Sequence, residues 1–149
     1  ELRLQSFGDD LMPKRQYRYV MDVPVASSKA GNYAMGVSDL LALDDGTVIV
    51  LEREFFVPPM KIGAFVVCKL YAVKPTEHIP YGEPLTKRLL GSYRTQLSLF
   101  KHEVANYEGM TLGTQLNDGS QSIILVSDSQ NQYAGVLKDF FKVIVLRNE

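Results

Sequence analysis

Asn106 to Ser129 reads NYEGMTLGTQLNDGSQSIILVSDS. It opens with an acid beside a glycine, Glu108-Gly109. It turns at Asn117-Asp118-Gly119, runs through the apolar strand Ile123 to Val126 and closes on a second acid, Asp128. Val37 to Arg53, VSDLLALDDGTVIVLER, does nearly the same. There the opening acid is Asp39, the turn is Asp44-Asp45-Gly46, the strand is Thr47 to Leu51 and the closing acid is Glu52. An Asp-Gly between two apolar runs is a strong short-range hairpin signal. Two copies of one unit, each bracketed by carboxylates, predict a repeat architecture with acids gathered at one place.

The flanking sequence is also strand-like. Leu2 to Phe7 alternates apolar and polar, Gly8-Asp9-Asp10 supplies a turn, and Gln16 to Val23 alternates again. Pro24 to Tyr33 is a small-residue loop. Strands are predicted over Gly36 to Leu43 and Thr47 to Arg53, with a Pro-containing loop from Phe55 to Gly63. Ala64 to Val73 is continuous enough to be buried on both faces, and a further strand runs from Leu85 to Tyr93. Leu97, Phe100 and Val104 have a loose helical spacing, so Thr95 to Val104 reads as a short helical turn or an irregular loop. Tyr107 to Gly113, Ser122 to Ser127 and a last strand from Phe141 follow. The count is two strands, then four, then three.

A chain of 149 residues with 46% hydrophobic content can build one domain with a real core. The net charge of −1 offers no basic field for nucleic acid. Cys68 is alone within an apolar run, which reads as a small buried residue and not a nucleophile. No zinc-type ligand spacing, serine-hydrolase elbow or apolar run long enough to span a membrane is present. Glu1 stands where a Met would begin an unprocessed chain, as in a processed product or an excised piece.

Four antiparallel strands per repeat is the construction of a β-propeller blade. The expected fold is therefore all-β: residues 1–24 as the last strands of one blade, 34–93 as a full blade and 105–147 as a final three-stranded blade. The total is about half a ring, to be closed by a missing N-terminal half or by a second copy, because open strand edges invite association. In such a ring the innermost strands line a channel. Asp39 and Glu108 would then sit at equivalent positions facing one axis, where a hard divalent cation, Ca²⁺, is the economical way to neutralise them.

GVSDLLALDDGTVIVLERE, PLTKRLL and NYEGMTLGTQLNDGSQSIILVSDS, in that order before a closing apolar strand, resemble the C-terminal half of the phytase-like proteins described as having esterase-like activity. The resemblance implies an exported, periplasmic or secreted bacterial β-propeller. It groups the chain with calcium-dependent hydrolases acting on a small-molecule ester or phosphate ester. Matched by motif, Glu108 is the acid of N-[FYL]-E-G, Asp39 that of G-[IV]-S-[DE], Glu52 that of L-E-R and Asp128 that of V-S-D. After Asp128 only Asn131 stands for the asparagines usual in the family.

The candidate metal ligands are thus Glu108, Asp39, Glu52 and Asp128. Glu108 and His102 are the candidate catalytic groups, His102 as a general base near neutral pH. Arg53, Lys87 and Arg88 are candidates for phosphate contact. Structural alternatives stand beside each. Asp39 could cap a turn, Glu52 and Arg53 could form ion pairs, and Asp128 with Asn131 could make an Asx-turn. The alternative function is a non-catalytic propeller that binds a partner or acts as a scaffold, with at most structural calcium.

Overall fold

A computed structural model describes the chain apart from Lys29, Lys101, Tyr133, Ala134, Val136, Asn148, Glu149 and the side chains of His102 and Glu103. The two hairpin turns form with one geometry. Leu43 N–H donates to Thr47 O at 2.8 Å, as Leu116 N–H does to Ser120 O at 2.8 Å. Asp45 Oδ1 accepts from Thr47 N–H and Asp118 Oδ1 from Ser120 N–H, both at 2.9 Å. Gly46 and Gly119 take φ of 81° and 83°, a region in which a Cβ is strained. The acids and glycines of the turns are therefore used locally.

These turns sit within an all-strand fold. The strands are β1 (Leu2–Phe7), β2 (Pro13–Tyr19), β3 (Asn32–Ala42), β4 (Val48–Val57), β5 (Phe65–Val73) and β6 (Lys87–Leu97). They continue with β7 (His102–Glu103), β8 (Tyr107–Gln115), β9 (Gln121–Ser127) and β10 (Phe141–Leu146). No α-helix occurs among the described residues. The strands form a β1-β2 hairpin, a five-stranded sheet in the order β3-β4-β5-β6-β7, and a three-stranded sheet in the order β10-β9-β8. All pairings within the sheets are antiparallel.

The central sheet is buried on both faces, which β4 shows by strict alternation. Ile49, Leu51, Phe55 and Val57 share a core with Tyr107, Ile123 and Leu125 of the three-stranded sheet. Val50 on the opposite face packs with Tyr17 and Tyr19 of β2, and with Tyr71 and Val73 of β5. Phe56 on that same face stacks on Phe65 with ring centroids 5.1 Å apart, in a small cluster that includes Val67. Cys68 lies within the first core and is fully buried. Its burial pushes the thiol up to about 11, so it stays a neutral apolar filler near pH 7.

Several boundaries differ from the sequence reading; β3 starts at Asn32, inside the expected loop, and β8 runs on to Gln115. β4 continues through Phe55, Phe56 and Val57, because each buries its side chain in a core, and stops at Pro58, which has no N–H to offer the ladder. β6 runs on to Leu97, whose N–H donates to Ala64 O at 2.8 Å. Among its described residues the Thr95 to Val104 segment is consequently strand, a bend and the two-residue β7, with no helical turn. β2 begins at Pro13 and ends at Tyr19, since Asp22 leaves the sheet to meet side chains of the central one.

Candidate functional site

β3 and β8 lie side by side as edge strands of neighbouring sheets, joined by Ser38 Oγ donating to Tyr107 O at 3.4 Å. Each carries a bulge at its acidic motif, but at different residues. In β3 the register shifts between Val37 and Asp39, so Ser38 is the extra residue. In β8 it shifts between Tyr107 and Gly109, so Glu108 itself is extra. A bulge re-aims the side chain it displaces.

Glu108 accordingly turns toward the central sheet, where Oε1 accepts from Arg53 Nη1 of β4 and from Asn106 Nδ2 at 2.8 Å. Arg53 Nη1 also donates to Asn106 Oδ1 at 2.6 Å. Asn106 is buried, while the Glu108 and Arg53 side chains are 32% and 15% exposed. Arg53 Nε is buried and has no hydrogen-bond partner among the described residues. Asp39 points elsewhere. Its Oδ1 accepts from Leu40 N–H at 2.8 Å and its Oδ2 from Met110 N–H of β8 at 2.6 Å, so it clasps the two edge strands together.

Glu52 projects from the other face of β4. It is buried and accepts from Tyr19 OH and Lys87 Nζ, each at 2.7 Å, and from Asp22 N–H at 3.2 Å. Asp22 is the centre of the same network and accepts from Lys69 Nζ, from Lys87 Nζ at 2.6 Å and from Tyr71 OH at 2.6 Å. Burial alone would raise the Asp22 carboxyl, but the bonds from Lys69, Lys87 and Tyr71 outweigh it and hold it well below the usual range. The Tyr19 phenol is pushed up, first by burial and then by Glu52. Burial, then Asp22, raises the Tyr71 phenol. Glu54, also buried, accepts from Val25 N–H at 2.7 Å and Ala26 N–H at 2.8 Å. Glu52 and Glu54 thus strap the connection before β3 onto the sheet.

The remaining candidates lie apart. Asp128 is exposed and its Oδ1 accepts from Gln130 N–H at 2.7 Å, an Asx-turn. Arg88 is exposed beside Lys87 on β6. His102 pairs through its backbone with Leu97, and the general-base expectation concerns a side chain outside the described residues. Of the proposed groups, the structure unites Arg53 with Glu108, and Lys87 with Glu52. Asn106, Asp22, Lys69 and Tyr71 complete these constellations and were not singled out from sequence. Tyr71 and Lys69 alternate with core residues of β5, a polar interruption that could have marked them.

The four acids do not fit a calcium cage as they stand. Glu108 and Glu52 already hold cations, Asp39 and Asp128 hold backbone N–H groups, and no group of three or more His, Cys, Asp or Glu arranged to hold a metal occurs among the described residues.

The molecule is thus an all-antiparallel protein of layered sheets, with an arginine–carboxylate pair wedged between two of them. A family model, phytase-like with the description esterase-like activity of phytase, matches residues 1–130, and the chain belongs to this family. Neither the curated proteins nor the solved structures include a match.

Proposed function

We propose that the chain is part of a β-propeller hydrolase that acts on an ester, a phosphate ester above all, with Arg53, Asn106 and Glu108 at the reacting centre. The observation that carries this reading is the buried Arg53 Nε without a partner, on a guanidinium whose Nη1 is already fixed by Asn106 and Glu108. A buried N–H left unmatched is costly, and a guanidinium oriented in this way is ready for an oxyanion. In the reaction, Arg53 would hold a phosphate oxygen and Glu108 would take the proton of the attacking water. The water oxygen then bonds to phosphorus as the bond to the alcohol oxygen breaks, and the alkoxide leaves to be protonated by solvent.

The sheets are read as successive blades, with the ring completed by further blades or by a second copy, in an exported protein. Calcium dependence, implied by the resemblance, would need oxygen ligands beyond the four carboxylates in their present bonding. A melting temperature and turnover that do not move with EDTA or added calcium would remove it.

The test of the centre is hydrolysis of 4-nitrophenyl phosphate and 4-nitrophenyl acetate by the protein and by Glu108→Gln and Arg53→Lys. Each substitution should lower the phosphate rate about a hundredfold or more. Turnover unchanged in both variants would refute the assignment. The second reading is a non-catalytic scaffold. It is favoured by the internal donors that satisfy all four acids, and is supported if neither ester is turned over.

A further inference from the structure

An antiparallel sheet leaves two edges, each a row of backbone groups open to another strand. Most edges of this molecule are closed or blunted by its own residues. β3 and β8 are clasped to each other through Asp39 Oδ2 and Met110 N–H. β2 forms a bridge to Pro84 at Arg18. β1 carries a bulge between Gln5 and Phe7 and exposes Arg3, and β7 ends after two residues. β10 is different. It is the outer strand of its sheet and pairs with β9 over six consecutive residues without a bulge. It contains no Pro, and its one charged side chain, Lys142, lies over the Tyr93 ring with Nζ 5.0 Å from the centroid. Among the described residues, β10 thus lacks the protections that edge strands usually carry.

The doubled unit says what belongs at this edge. The turn glycines Gly46 and Gly119 align the hairpin β3-β4 with β8-β9, which makes β10 the counterpart of β5. On its side away from β4, β5 carries β6, paired antiparallel from Phe65 to Val73. The same side of β10 is the open edge, so the vacant place is that of an antiparallel strand. The residues of β10 alternate strictly. Phe141, Val143 and Val145 are 78%, 63% and 41% exposed, while Ile144 and Leu146 pack against the core.

We propose that β10 pairs antiparallel with β10 of a second copy of the chain, joining two three-stranded sheets into one of six strands. Such a contact is two-fold symmetric, so that if one residue faces another the reverse holds as well. Symmetry then fixes which side chains meet. In any two-fold antiparallel register, odd-numbered residues of β10 face odd-numbered ones, so the outward set Phe141, Val143 and Val145 lines up with the same set of the second copy. With Val143 on the axis, Val143 faces its own counterpart and Phe141 faces Val145, an aromatic–β-branched pair of the kind that stabilises sheets. With Ile144 on the axis, Phe141 would face Arg147, so the Val143 register is favoured. A foreign strand would have to reproduce this alternation, whereas a second copy supplies it by symmetry. The contact does not depend on catalysis, because β8, which carries Glu108, is the opposite edge of the same sheet.

A contact of one strand pair lies at the small end of specific interfaces, below about 1,200 Å², so the association should depend on concentration. Sedimentation equilibrium of the protein from about 1 to about 300 µM should show monomer passing to dimer and no larger species. Val143→Lys sets like charges opposite each other on the axis and should weaken the dimer about tenfold or more. Thr111→Lys, on the same face of the sheet but two strands away on β8, should leave it unchanged. Val143→Cys should form a disulfide between copies under oxidised glutathione, since directly opposed residues stand about 4.5–5.5 Å apart between Cα atoms. The native Cys68 is fully buried and takes no part. Thr111→Cys should not cross-link. A protein that is monomeric throughout the range overturns the pairing, as does a dimer that survives Val143→Lys or in which Val143→Cys fails to cross-link. If Thr111→Lys disperses the dimer as well as Val143→Lys does, the copies stack by their faces and edge pairing is equally overturned. The cysteine variant, close to valine in size, decides the question independently of the lysine variant.

Discussion

Asp39 and Glu108 begin two copies of one sequence unit, yet they serve different neighbours. The turns of the two copies superimpose in their bonding, so the difference does not come from the hairpins. It comes from the bulges. Ser38 is the extra residue in β3, whereas Glu108 is the extra residue in β8. A shift of one residue along a strand turns a side chain to the other face. Asp39 consequently clasps the backbone of β8, and Glu108 meets the Arg53 side chain of β4. A repeat in sequence places residues in equivalent strands but does not give them equivalent partners.

The largest test of this contrast lies with the buried acid of the first copy. Glu52→Ala leaves Lys87 and the Tyr19 hydroxyl without their shared acceptor inside the sheet stack. It should cost about 3–5 kcal/mol in urea unfolding. The half-exposed Glu108→Ala should cost about 1 kcal/mol, because solvent screens the charge it leaves behind. Equal losses would erase the distinction between the buried and the half-exposed acid.

Asp39→Ala should cost about 1–3 kcal/mol and raise hydrogen exchange at the Met110 amide, while Glu108→Ala leaves that amide protected. Loss of Met110 protection in both variants would mean that the two acids act as one unit.

Acid sharpens the contrast further. The folded Asp22 carboxyl is held below its ordinary value of 3.8, so its contribution is fully present above that value and is lost as pH falls toward the folded one. Unfolding free energy should therefore drop in strong acid. Asp22→Asn should be less stable than the parent at neutral pH and should show a shallower acid loss. A parallel acid loss in both proteins would place the linkage elsewhere.

The smallest effect belongs to the turns. Asp45→Ala and Asp118→Ala should each cost about 1 kcal/mol and agree to within about half of that. Different costs would show that the two hairpins are less alike in energy than in geometry.

Much of this was legible in the sequence because it is local. Asp-Gly turns between apolar runs identified both hairpins, and the alternation of Leu2 to Phe7 identified β1. The ends of β4 and β6 were not legible, since Phe55 to Val57 and Thr95 to Leu97 are strand only because cores and backbone partners wait for them. In the site, Arg53 and Glu108 were both visible as unusual residues, but their pairing was not. It spans two sheets and depends on which residue of β8 is displaced. Asp22, an ordinary acid before a proline in sequence, becomes the centre of a two-lysine network only when its loop folds back over the sheet.

The sequence by itself determined the all-β class, the doubled unit with its turns, and family membership, since each of these depends on residue type and short spacing. The tertiary structure alone decided what the acids do. A carboxylate surrounded by lysine, arginine or amide donors is held as an anion by the protein itself, and those donors arrive from strands far away in the chain. The bulge at Glu108 and the loop that carries Asp22 made that choice, through geometry that no short-range pattern records.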